Sequence, residues 1–154
     1  MMSIRNSLWR DERGNSLIEM ALFTPLLATL LVGTVDLSRA YSSKLALEQA
    51  AQRVVERVQA SEYTTANKST LEADAESAAG TGSDANITTW LECNNDGTHL
   101  DYDTGTCATA TDPYARYVQV TVTQPFTPMF GARFFPNASN GVVTLTATAG
   151  VRTQ

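Results

Sequence analysis

The sequence predicts an α+β protein: a long N-terminal helix, transmembrane and then amphipathic, packed on a small antiparallel β-sheet. Three observations carry this. Met20 to Val35 is a run of 16 residues without a charge, flanked by Glu19 and Asp36. The run passes into a segment, residues 38–60, whose apolar side chains recur at helical spacing. From Asn86 onward the pattern becomes short β-rich segments, the clearest of them alternating apolar and polar residues, with turn residues between them.

Residues 1–14 form a polar leader with Arg5, Arg10 and Arg13 against Asp11 and Glu12, and the excess of Arg ahead of the apolar run places it on the cytoplasmic side. A membrane span needs about 20 mostly apolar residues. Leu17 to Leu37 supplies 21 if Glu19 and Asp36 sit at the two interfaces. Pro25 offers no N–H to the carbonyl of Ala21, so a kink or local unwinding is expected there. In the helix extension, Leu37, Tyr41, Leu47, Ala51, Val54, Val55 and Val58 share one face, read as the side that packs on the sheet. Residues 61–70 read as a loop. Ser69-Thr70-Leu71-Glu72 fits a capping box that starts a short helix through Ala79, and Gly80 to Ser83 stops it. Asn86 to Cys93 reads as a strand and residues 94–113 as turns. Tyr117 to Gln124 is a half-buried strand with Val118, Val120 and Val122 on one side, ended by Pro125 and Pro128. The connection to Asn140 holds Phe126, Met129, Phe130, Phe134 and Phe135 and is expected to fold back over the core. Val143 to Val151 is the closing strand. The expected organisation is a leader (1–14), a transmembrane helix (15–37), a helix extension (38–60) and a head (61–154).

A head of this size stabilises itself only marginally by burial, so a staple would help. Cys93 and Cys107 are an even pair behind a membrane anchor, which points to one disulfide and an oxidising compartment. Closing such a loop is worth about 3 kcal/mol in the chain-entropy model. Two cysteines and the single His99 are too few for a structural zinc site. The net charge of −5, with no basic stripe, argues against a nucleic-acid partner. Asp101 and Asp103, with Gly105 following, look like a fragment of a calcium loop, but the full ligand spacing is missing and turns use the same residues. His99 has no evident nucleophile partner, and there is no glycine-rich phosphate loop. Neither an enzyme nor a cofactor is expected.

Gly14 separates the leader from the apolar run, and Glu19 follows five residues later. A carboxylate at the head of an apolar segment costs up to about 2.5–3.5 kcal/mol at the bilayer centre, less near the surface, so a partner is expected. The Gly-x-x-x-x-Glu spacing resembles the processing site of type IV pilin-like proteins. The fuller pattern, Arg13-Gly14, Glu19, Ala21-Leu22 and Pro25-Leu26-Leu27, resembles the TadE-like pseudopilins of the tight-adherence (Tad) pilus system, most closely over residues 13–60. Asn15 stands where many type IV pilins carry Phe, and Met20 where this pilus class usually has an aromatic residue. The resemblance implies a pilin-like fold, cleavage between Gly14 and Asn15 by a prepilin peptidase, and pairing of Glu19 with the new amine of Asn15 on a neighbouring subunit. Opposite charges 4 Å apart attract by about 4 kcal/mol at an effective dielectric near 20. It further implies a minor pilin or pseudopilin held in the bacterial inner membrane with its head in the periplasm, and later in the extracellular pilus. There it would aid pilus assembly, surface adhesion and biofilm formation. Its partners would be the peptidase, other pilins and pseudopilins, and the inner-membrane assembly platform. The alternative is a single-pass membrane-anchored periplasmic binding or sensing domain.

Overall fold

The computed structural model describes residues 15–61, 63–109, 111–131, 135 and 137–153. The leader, Gly14 and Phe134 lie outside the described residues. One helix, α1, runs from Asn15 to Ser61, 47 residues or about 70 Å at 1.5 Å per residue. It carries both segments expected from the sequence, and the helical assignment continues through Pro25. A 3₁₀ turn (Thr65–Asn67) leads into α2 (Lys68–Ala79). The strands β1 (Asp84–Cys93), β2 (Tyr114–Phe126) and β3 (Val143–Arg152) follow. They form one antiparallel sheet in the order β1-β2-β3.

The core lies between the sheet and the C-terminal half of α1. Val118, Val120 and Val122 of the central strand are fully buried, with Ile87 of β1 and Ala147 of β3 beside them. Leu47, Ala50, Ala51, Val54 and Val58 of α1 cover them, and Leu71, Ala75 and Ala79 of α2 close the side next to β1. The apolar stripe expected on α1 therefore holds from Leu47 to Val58. Leu37 and Tyr41 depart from it, being exposed, while Asp36 and Ala40 are buried at that level. The stripe that meets the head steps through 36, 40, 47, 51, 54 and 58, and residues 37 and 41 lie about 100° round the helix from it.

Two boundaries differ from the sequence reading for identifiable reasons. β2 continues through Pro125 to Phe126. Pairing with β1 ends at Asp84 opposite Thr123, so Pro125 faces only Thr144 of β3, at a place where the strand has become an edge and a missing N–H is tolerated. α2 begins at Lys68 rather than at the expected capping box. The Glu72 carboxylate instead accepts the backbone N–H of Ile87 at 2.9 Å, and Glu76 accepts that of Ala85 at 3.3 Å. These bonds cover the outer edge of β1, whose unpaired N–H groups would otherwise invite another strand. On the opposite edge the Lys44 ammonium donates to the carbonyl of Thr146.

The loop after β1 is tied down at several points. Cys93 and Cys107 are bonded, with Cα atoms 5.8 Å apart. Asn94 and Asn95 take left-handed backbone conformations, which asparagine tolerates, and the Asn94 N–H donates to Pro113 at 2.8 Å. A Cβ on Gly105 would collide with the carbonyl oxygen of Asp101, so only glycine fits that turn. Tyr102 packs edge-on to Tyr63, with ring centres 5.3 Å apart. Burial raises the Tyr63 phenol above its ordinary pKa. On the outer face of the sheet, Trp90 stacks on both His99 and Tyr117.

Candidate functional site: an unburied apolar helix with a carboxylate at each end

Among the described residues, none packs round the N-terminal part of α1. Leu17, Ile18, Met20, Leu22, Phe23, Leu26, Leu27, Leu30, Leu31 and Val35 are all exposed, on every side of the helix. A helix apolar all round needs a non-aqueous surrounding or a set of partner helices. This one is long and apolar enough to cross a membrane, and none of its most apolar window is buried within the chain. A core helix of a soluble domain would be mostly covered.

The polar groups inside the run are satisfied locally. Thr24 donates to the Met20 carbonyl at 2.6 Å, Thr29 to those of Pro25 and Leu26 at 2.8 Å, and Thr34 to that of Leu30 at 2.8 Å. Each hydroxyl thus finds a main-chain acceptor within its own helix, which lowers the cost of placing it in lipid. The N–H missing at Pro25 is the one that would serve the Ala21 carbonyl, and the Thr29 hydroxyl adds its bond one turn further on, at the Pro25 carbonyl itself.

The two carboxylates that bound the run have different surroundings. Glu19 stands exposed near the start of α1. Asp36 is 1% exposed, and the head covers it. The N–H of Met129 donates to its Oδ1 at 2.9 Å and that of Phe130 to its Oδ2 at 3.1 Å. The Arg39 guanidinium lies 3.6 Å from Oδ1 and also sits over the ring of Phe126, 5.6 Å from its centre. Phe126 is itself buried with Ala40 and Val143, with Phe135, Ala138 and Leu145 packed against them. Part of the phenylalanine-rich connection therefore does fold onto the protein, while Met129 and Phe130 remain outward. The sequence reading puts Asp36 at an interface and misses this grip. Its one visible signal is an acidic residue ending an apolar run, together with a phenylalanine-rich segment far along the chain.

The remaining sequence candidates fall elsewhere. Gly14 lies outside the described residues, as does the side chain of Asn15, so their relation to Glu19 is not placed. Asp101 and Asp103 share a turn. Asp101 Oδ1 accepts the N–H groups of Asp103 and Thr104, at 3.1 and 2.7 Å, and the Thr104 hydroxyl at 2.6 Å. The Asp103 carboxylate accepts the hydroxyl of Thr65. Hydrogen bonds from Thr104 hold the Asp101 carboxyl below its ordinary pKa, and those from Thr98 do the same for Asp96. Among the described residues, no group of three or more His, Cys, Asp or Glu is placed to hold a metal ion.

Fold and site together define a class: a small α+β head carried on a long helix whose free half fits membrane anchoring. The family model for TadE-like proteins matches residues 14–55, which takes in Gly14, Glu19, Pro25 and Asp36 and ends within α1 before the head begins. The match spans 42 of the 154 residues, and the similarity points to the Tad pilus system. Comparison with curated proteins and with solved structures returned no match.

Proposed function

We propose that the chain is a minor pilin or pseudopilin of a tight-adherence pilus. It is made as an inner-membrane precursor with a periplasmic head and is cut by a prepilin peptidase after Gly14. The observation that carries this reading is the unburied apolar run of α1 headed by Glu19, lying wholly within the stretch that matches the TadE-like family. A helix of this kind suits two surroundings in turn, lipid before assembly and neighbouring helices in a filament afterwards. Glu19 is costly in either, and the amine released at Asn15 of a neighbouring subunit supplies an opposite charge. The disulfide fits a periplasmic location.

The test is the mature N-terminus of the protein recovered from cells with and without an active prepilin peptidase. Asn15 is expected with the enzyme and Met1 without it. Retention of Met1 in both would favour a fixed anchor bearing a periplasmic binding or sensing domain, and Tyr41 would indicate a secreted protein. Glu19→Ala separates roles further. The variant is expected to stay in the membrane but drop out of sheared filaments, and unchanged recovery in filaments would contradict the pairing.

A further inference from the structure

We propose that Met129 and Phe130 form an interfacial foot that seats the head on the lipid surface from which α1 emerges. The proposal rests on the membrane-anchored reading of α1 and goes beyond it by assigning a second lipid contact, from a segment distant in sequence.

Asp36 sets the level. It is the first residue after the charge-free run Met20 to Val35, so it marks where the helix leaves the hydrocarbon. Seventeen residues separate it from Glu19, about 26 Å at 1.5 Å per residue, close to the thickness of a bilayer core. The backbones of Met129 and Phe130 are hydrogen-bonded directly to the Asp36 carboxylate. Their side chains are therefore held at the boundary between hydrocarbon and headgroups. Both are large and apolar, and both are turned outward, 65% and 53% exposed.

Depth identifies the occupant. The exposed apolar surface of α1 ends at Val35, one residue before the carboxylate that holds these two main-chain N–H groups. Apolar side chains held at the level where a lipid-facing surface ends meet the edge of the same lipid. Neighbouring groups fit a headgroup region too. Tyr41 is exposed on α1 just above, and the Arg39 side chain is half exposed with its guanidinium over Phe126. Aromatic residues and long cationic side chains are what such a belt uses. The Asp36 carboxylate gains from the same arrangement. At the membrane edge it would be a charge half out of water, and the two main-chain N–H groups cover it while the loop presents apolar side chains in its place.

The full-length chain, reconstituted at one copy per nanodisc of mixed phosphatidylethanolamine and phosphatidylglycerol, gives the test. Single cysteines are introduced as Met129→Cys, Phe130→Cys, Leu31→Cys and Thr148→Cys, and spin-labelled without reductant so that Cys93–Cys107 stays closed. Collision with oxygen, which concentrates in lipid, is compared with collision with a water-soluble nickel chelate. Labels at 129 and 130 are expected to favour oxygen, less strongly than the label at 31, while the label at 148 favours nickel. Lipid at 31 with water at 129 and 130 overturns the proposal and leaves the anchor reading intact. Water at all four positions overturns both. Shielding of 129 and 130 from both reagents indicates a protein contact and also overturns the proposal.

Discussion

Replacing Asp36 by alanine removes the acceptor of two adjacent main-chain N–H groups, at 2.9 and 3.1 Å, from the connection between β2 and β3. Hydrogen bonds to an ionised acceptor contribute about 1.5–3 kcal/mol each, so the pair holds the loop by about 3–6 kcal/mol before costs. Burying the charge offsets part of this, and Arg39 at 3.6 Å returns only a little because its side chain is half exposed. A net of about 3 kcal/mol remains, and at about 1.4 kcal/mol per factor of ten that is roughly a hundredfold in the equilibrium for opening the loop. Amide hydrogen exchange in the full-length protein reads this directly. The amides of Met129 and Phe130 are expected to exchange about a hundredfold faster in Asp36→Ala, and about tenfold faster in Asp36→Asn, which keeps one acceptor oxygen. Arg39→Ala is expected to change them by less than about tenfold. Exchange in Asp36→Ala equal to that of the unmodified protein would refute the reasoning, since it would mean that those amides owe their protection to something else.

Two further outcomes follow from the loop after β1. Replacing Cys93 and Cys107 together by serine opens a closure spanning 14 residues and is expected to lower head stability by about 3 kcal/mol in denaturant titration; an unchanged midpoint would show that the chain-entropy account fails here. Acid is expected to loosen residues 94–109. The Asp96 and Asp101 carboxyls are depressed in the folded chain by bonds from Thr98 and Thr104, so the unfolded chain takes up protons first as pH falls. Their contribution is complete above the ordinary carboxylate value near about 4 and disappears as pH drops through the depressed native values. Exchange protection in this loop should hold above about pH 4 and fall as the pH drops below it, and the fall should be smaller in Thr104→Val. Protection that stays constant across that change would count against it.

Features set by local periodicity are readable in the chain itself. Val118, Val120 and Val122 alternate with polar residues because one face of β2 is covered, and Leu47 to Val58 keep helical spacing because α1 lies across it. The apolar half of α1 is readable for a related reason, since a helix lacking any polar face has few uses outside a membrane or a bundle. Features set by non-local partners are not readable. Glu72 has the spacing of a capping residue, yet its acceptor atoms serve Ile87, fifteen residues away. Pro125 has the character of a strand end, yet it lies where the pairing with β1 has already run out. Leu37 and Tyr41 fit a core stripe because apolar residues serve equally well against a sheet or near a membrane. Asp36 is the clearest case. A carboxylate at the end of an apolar run can stay hydrated or be covered by another segment, and only the fold shows that Met129 and Phe130 cover it. As for the candidate site, the helix and Glu19 are legible, while the buried carboxylate at its far end is not.

Because α1 is unbroken from Asn15 to Ser61, the compass bearing of the head and that of Glu19 are geared together. Seventeen residues of ideal helix turn Glu19 about 100° away from the direction in which Asp36 looks at the head. On the proposed pairing, a neighbour whose amine meets Glu19 comes in from the flank of the subunit rather than from beneath the overhanging head.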